Sequence, residues 1–118
     1  MKIIDKSVYN FSKDNAPFTD ADPGEILLFK TMDCFSNTIT KEEELVLHLD
    51  YTVANPAAGP VFINGAEPGD VLAVDILDIQ VADQGVICST PGCGPLSDDM
   101  EVRTRVIKIS NGIADFNG

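Results

Sequence analysis

Leu45, Leu47 and Leu49 alternate with Val46, His48 and Asp50 along "ELVLHLDYT", a period of two that places the leucines on one face of an extended chain and Val46, His48 and Asp50 on the other. The pattern predicts a strand from Glu44 to about Thr52. A turn over Lys41 to Glu43 precedes it, where Thr40 and Glu43 stand at capping-box spacing. The same period recurs in three further places. "EILLFKTMD" reads as a strand leaving the turn "DADPG", whose Pro23 and Gly24 suit central turn positions. "VLAVDILDI" puts Leu72, Val74, Ile76 and Asp78 on one face and Val71, Ala73, Asp75, Leu77 and Ile79 on the other. In "EVRTRVIKIS", Arg103, Arg105 and Ile107 oppose Val102, Thr104, Val106 and Lys108, with β-branched residues favouring strand.

Between these runs the chain is punctuated by glycine and proline. "GPVFINGAEPGD" gives a short strand from Val61 to Asn64 followed by a turn that Asp70 is placed to fix. "NPAAGP" and "GAEPGD" make two stiff corners around that strand, because proline fixes φ and glycine tolerates positive φ. The expected fold is all-β: a β-sandwich or jelly-roll-like arrangement of short strands joined by Gly/Pro turns, with little helix. A length of 118 residues fits one domain over 1–118.

Composition narrows the partners. Apolar residues make up 44% and charged residues 23%, the balance of a chain that buries a core. The net charge of −11 repels phosphate backbones and anionic lipid headgroups, so neither nucleic acid nor membrane is an expected partner. No run approaches the ~18 apolar residues of a membrane span, and Asp5 and Lys6 interrupt the apolar start that a signal peptide would need. The three cysteines, odd in number and unevenly spaced, make no disulfide framework. A cytoplasmic location is the expectation that follows. The spacing in "CSTPGC" is loose for a zinc knuckle, and no second Cys/His pair accompanies it.

Candidate chemistry sits where strands break into turns. Asp33 ends "ILLFKTMD" and could present a carboxylate at a sheet's rim, or simply hydrogen-bond its own turn. Cys34 beside it has no cationic neighbour in sequence to lower its pKa. His48 and Asp50, two apart on the expected strand, could serve one metal ion or form a His–carboxylate pair. Asn55 could orient a substrate or cap the turn at Pro56. No Gly-x-Ser-x-Gly elbow occurs, and the single histidine leaves little for a nucleophilic triad.

The block "NPAAGPVFINGAEPGDVLAVDILDI" resembles one found in the acetamidase/formamidase family of amide hydrolases. "PGEILLFKTMDCFSNTI" is similar to that family's segment ending in an aspartate-bearing turn, with Asp33 at the aspartate, and "STPGCGPLSDD" to its Pro-Gly-x-Gly-x-Leu loop. Three blocks in the right order carry the resemblance over most of the chain, but only across the N-terminal portion of the family's pattern. Members are longer and carry further Gly-, Asp- and His-rich blocks downstream. The resemblance implies hydrolysis of short aliphatic amides, of formamide or acetamide type, to carboxylate and ammonia. Asp33, at the family's aspartate, would be the catalytic carboxylate. From their own positions, Asn55 would be the substrate-binding candidate, and His48 and Asp50 an incomplete ligand pair for a divalent zinc or calcium ion, unless the histidine is purely structural. The resemblance further implies a small amide as substrate and a site completed by another segment, either a complementary C-terminal polypeptide or other copies in a homo-oligomer. The alternative is a non-catalytic β-sandwich binding or assembly module derived from that family.

Overall fold

Short strands next to Gly/Pro corners and the long run "RTRVIKIS" form where the alternation places them, and two other alternating runs do not form strands. The computed structural model describes residues 1–96 and 99–117, so the Ser97 and Asp98 end of the "STPGCGPLSDD" loop lies outside the described residues. The regular elements among the described residues are strands and three-residue 3-10 turns, an all-β architecture as expected. Backbone contacts group the chain into two compact units. One comprises Met1–Asn37 and Asp50–Val74, the other Thr38–Leu49 and Asp75–Gly118.

The first unit is built from three strand pairs. β1 (Lys2–Ile4) and β4 (Leu27–Phe29) run parallel, with Ile4 opposite Phe29. β3 (Thr19–Ala21) and β6 (Val61–Ile63) are also parallel, with Ala21 opposite Ile63. β2 (Ser7–Val8) pairs antiparallel with β5 (Ala57–Ala58). Ile4 and Ala21 form the buried centre of this unit. Bonds just beyond the strand ends extend the pairing: Lys30 N–H donates to the Ile4 carbonyl at 2.8 Å, and Asn64 N–H to the Ala21 carbonyl at 2.9 Å. The Asn64 side-chain amide donates to both Asp20 and Asp22, at 3.0 and 2.8 Å, and holds the Asp20 carboxyl below its ordinary pKa. The turn at Pro23-Gly24 forms, closed by Glu25 N–H on the Asp22 carbonyl at 3.0 Å. Asp70 fixes its turn as expected, accepting from Glu67 N–H at 2.9 Å.

One glycine in the "NPAAGP" corner is required by geometry. Gly59 is buried at φ +115°, and a Cβ there would lie 3.4 Å from the Val61 nitrogen. L-residues avoid that φ. Gly59→Ala is expected to lower stability by about 1–3 kcal/mol, read as an earlier urea midpoint. An unchanged midpoint would show that the corner is not needed.

The second unit carries the longest strands. β7 (Gln84–Ser89) pairs antiparallel with β8 (Arg103–Ser110), which turns through Asn111 and Gly112, both at positive φ, into β9 (Ile113–Ala114). Positive φ at both central positions gives a hairpin turn matched to strand twist. β7 was not singled out by the alternation, since Val86, Ile87 and Cys88 form a continuous apolar run. Ile39, Val46 and Ile107 are buried in this unit, as is Thr104, whose hydroxyl donates to the Glu44 carbonyl at 2.6 Å.

Two predicted strands are absent. Glu44 to Thr52 instead forms two 3-10 turns, Val46–His48 and Tyr51–Val53. Their i+3 bonds run from His48 N–H to Leu45 and from Val53 N–H to Asp50, at 3.0 and 3.2 Å. Local bonds therefore satisfy a backbone that period-two patterning offers to a sheet. The acidic cap also sits one residue later than expected. Glu44, not Glu43, accepts from Thr40 N–H at 2.6 Å and Lys41 N–H at 3.1 Å, which holds its carboxyl below its ordinary pKa. Val71 to Ile79 has no strand partner; Leu72, Val74, Ile76, Leu77 and Ile79 are all exposed. The apolar alternation is there, but among the described residues nothing pairs with it.

Candidate functional site

The chain leaves β4 and reaches Asp33 without regular structure, then winds into a left-handed turn. The Asp33 carboxylate oxygen Oδ1 accepts from Phe35 N–H at 2.9 Å and from Asn37 N–H at 2.8 Å. Asn37 reciprocates through its own Oδ1, accepting from Asp33 N–H at 2.9 Å. Ser36 and Asn37 sit at φ 54° and 56°, conformations that non-glycine residues adopt only when local bonds or neighbours enforce them. Sequence reasoning singled out Asp33 but not this exchange. Its signal, an Asn four residues after an Asp across a Ser, is turn grammar that hydrophobic patterning ignores.

Asn55 belongs to the same constellation. Its backbone N–H donates to the Cys34 carbonyl at 2.9 Å, and the Ser36 hydroxyl donates to the Val53 carbonyl. Two bonds thus tie the aspartate turn to the start of "NPAAGP". Asn55 is itself at φ 54°, and its side-chain amide makes no hydrogen bond among the described residues. Asp33, Cys34 and Asn55 are all exposed. Both of these bonds to the Asp33 carboxylate fall on Oδ1. A cleft of about 450 Å³ in this unit is lined by residues that include Val8, Phe11, Lys13, Ala57, Ala58 and Pro60. It contains neither Asp33 nor Asn55, and with Phe11 95% exposed it is an open surface feature.

His48 and Asp50 do not share a strand face. His48 closes the first 3-10 turn in the second unit, and Asp50 caps the other turn in the first unit. The Thr52 hydroxyl donates to Asp50 Oδ1 at 2.6 Å and the Thr52 N–H at 2.9 Å, and these bonds, the hydroxyl's first, hold the Asp50 carboxyl below its ordinary pKa. Among the described residues no group of three or more His, Cys, Asp and Glu side chains gathers as a metal cage would. Two candidate ligands are fewer than a metal site takes, so the pair would need further ligands. No disulfide joins Cys34, Cys88 and Cys93; Cys88 lies on β7 with its sulfur 3.6 Å from the Thr104 hydroxyl, and Cys93 is exposed.

Asp20, Glu44 and Asp50 share a depressed carboxyl pKa in the folded chain. Such groups contribute stability that is fully present above their unfolded pKa and is lost as pH falls through the folded value. The urea midpoint is therefore expected to stay level down to about pH 5 and to fall below the ordinary carboxylate range of about 4. Asp50→Asn should flatten that fall. A midpoint that rises on acidification would contradict the assignment.

A short all-β scaffold whose aspartate turn is bonded to an Asn-Pro corner defines the class. Residues 5–116 match the family model of the Acetamidase/Formamidase family, and the chain belongs to that family, as its N-terminal-like portion. It is similar to the formamidase of Methylophilus methylotrophus, 29% identical over 99 residues that cover 77% of this chain and 24% of the relative. Two solved structures share the fold. An acetamidase from Bacillus halodurans superposes with a TM-score of 0.87 and 34% identity, over 95% of this chain and 41% of the other. The predicted acetamidase/formamidase of the thermophile Thermoanaerobacter tengcongensis gives 0.90 and 39%, over 98% and 40%. The chain spans about a quarter of the length of the curated relatives it matches. No helix among the described residues is long and apolar enough to cross a membrane.

Proposed function

We propose that this chain contributes part of the active site of an amidase that converts short aliphatic amides, of formamide or acetamide type, to carboxylate and ammonia. The observation that carries the reading is the bonded pairing of the Asp33 turn with the Asn55 corner, within a chain whose family takes its name from such enzymes. Asp33 Oδ2 would take a proton from water as oxygen adds to the amide carbon. The C–N bond then breaks, and the departing nitrogen receives a proton to leave as ammonia. Asn55 would hold the amide through its side chain. Donors for the developing oxyanion come from further polypeptide of the family fold or from other copies of the chain in a homo-oligomer. A divalent zinc or calcium ion, if used, would draw on His48 and Asp50 only together with ligands from that further polypeptide. The uneven cysteines, none in a disulfide, support a cytoplasmic location.

The decisive assay measures ammonia from formamide and acetamide. It compares the chain alone, the complementary portion of the T. tengcongensis relative alone, and the two co-expressed. Release is expected only from the assembled pair. A folded, assembled pair that releases no ammonia would remove the amidase reading. One observation favours a second reading, a non-catalytic binding or assembly module. Asp33 Oδ1 is fully occupied in holding its own turn, as a purely structural aspartate would be. That reading expects Asp33→Asn to leave the biological role intact.

A further inference from the structure

Within the second unit, Asp75 to Val81 runs with no regular structure and no backbone hydrogen bond to the described residues. Gln80 Nε2 donates to Asp78 Oδ2 at 3.0 Å, a bond between residues two apart that an extended backbone places on one face. The other face then carries Asp75, Leu77, Ile79 and Val81, and these three apolar side chains are 70%, 71% and 57% exposed. We propose that Asp75–Val81 is a docking strand for the part of the family fold that follows the matched region. The incoming strand would pair with its backbone and cover Leu77, Ile79 and Val81.

Two observations select that occupant. The chain keeps the fold of its solved relatives at TM-scores of 0.87 and 0.90 while covering only 41% and 40% of them, so most of each relative's polypeptide has no counterpart here. The strand's chemistry also fits: unpaired backbone groups beside alternating apolar side chains call for another strand with an apolar face. The proposal rests on the reading that further polypeptide completes the site, and it names the residues that receive it.

The test co-expresses the tagged chain with the portion of the T. tengcongensis relative that this chain does not cover, and reads complex formation by mass and affinity. A one-to-one complex is expected, weakened at least about 100-fold by Leu77→Lys with Ile79→Lys, since charges would be buried there. Both side chains are already mostly exposed, so the double variant should fold as the parent does, checked by circular dichroism. Hydrogen exchange gives a second readout: amides 75–81 should exchange freely in the chain alone and be protected in the complex. Absence of a complex, an undiminished complex with the double variant, or these amides already protected in the free chain would each overturn the proposal. So would self-association of the chain that the double variant dissolves, which would assign the strand to a second copy. Ammonia release plays no part in these readouts, so a complex without hydrolysis counts against the amidase reading alone.

Discussion

Asp33→Asn is expected to lower ammonia release by the assembled protein by about 100- to 10,000-fold while leaving the fold intact. The substitution is chosen for what it keeps. Asparagine retains an Oδ1 that can accept from Phe35 N–H and Asn37 N–H, so the turn survives. What disappears is the negative charge and the proton affinity of Oδ2. Asp33→Ala removes both functions and should also cost about 1–2 kcal/mol of stability, the scale of losing a side-chain acceptor for local N–H groups. Comparing turnover and urea midpoint for the two variants separates chemistry from architecture. Turnover within twofold of the parent in the asparagine variant would make Asp33 a turn residue and nothing more.

Thr104→Val should be the most damaging conservative change in the second unit, at about 1–3 kcal/mol. Valine matches threonine in shape and suits a strand, so the loss isolates the hydroxyl's bond to the Glu44 carbonyl together with its weaker contact to the Cys88 sulfur. Thr104 is 8% exposed, and its hydroxyl donates at 2.6 Å to the Glu44 carbonyl, fastening β8 to the segment before the first 3-10 turn. Without it, that carbonyl is desolvated and unpaired. Thr104→Ser keeps the donor and should recover most of the loss. Equal urea midpoints for valine and threonine would show that water reaches the carbonyl and replaces the bond.

The strand pairs of the first unit explain why this chain leaves so much apolar surface open. β1 with β4 and β3 with β6 are parallel pairs of three residues each, yet Ile3, Leu28, Phe29 and Phe62 remain 37% to 53% exposed. Parallel strands occur almost only where both faces are covered, and two-stranded sheets are marginal on their own. The same logic applies to Asp75–Val81 in the other unit. In both places apolar side chains stay exposed with no further strand beside them among the described residues.

Turn chemistry was legible in the sequence because it is local. The Pro23-Gly24 turn, the Glu67–Asp70 turn, the short strand starting at Val61 and the strand through "RTRVIKIS" all form where their own residues place them. Asp33 and Asn55 were legible as residues of interest by the family blocks they occupy. Their mutual bonding was not, since no periodicity relates positions that lie on opposite sides of two corners. Alternation failed in two instructive ways. At Leu45 to Leu49 the backbone closed on itself in 3-10 turns, a local solution that a period of two does not distinguish from a strand. At Val71 to Ile79 the pattern is that of a strand, but a strand exists only when a neighbour supplies its hydrogen bonds. The sequence by itself determined the corners, the all-β character and the acidic surface, because dihedral limits and charge act within a few residues. Tertiary structure alone decided that the Asp33 turn meets the Asn55 corner and that Val71 to Ile79 finds no strand partner among the described residues, because each of those outcomes depends on groups far apart along the chain.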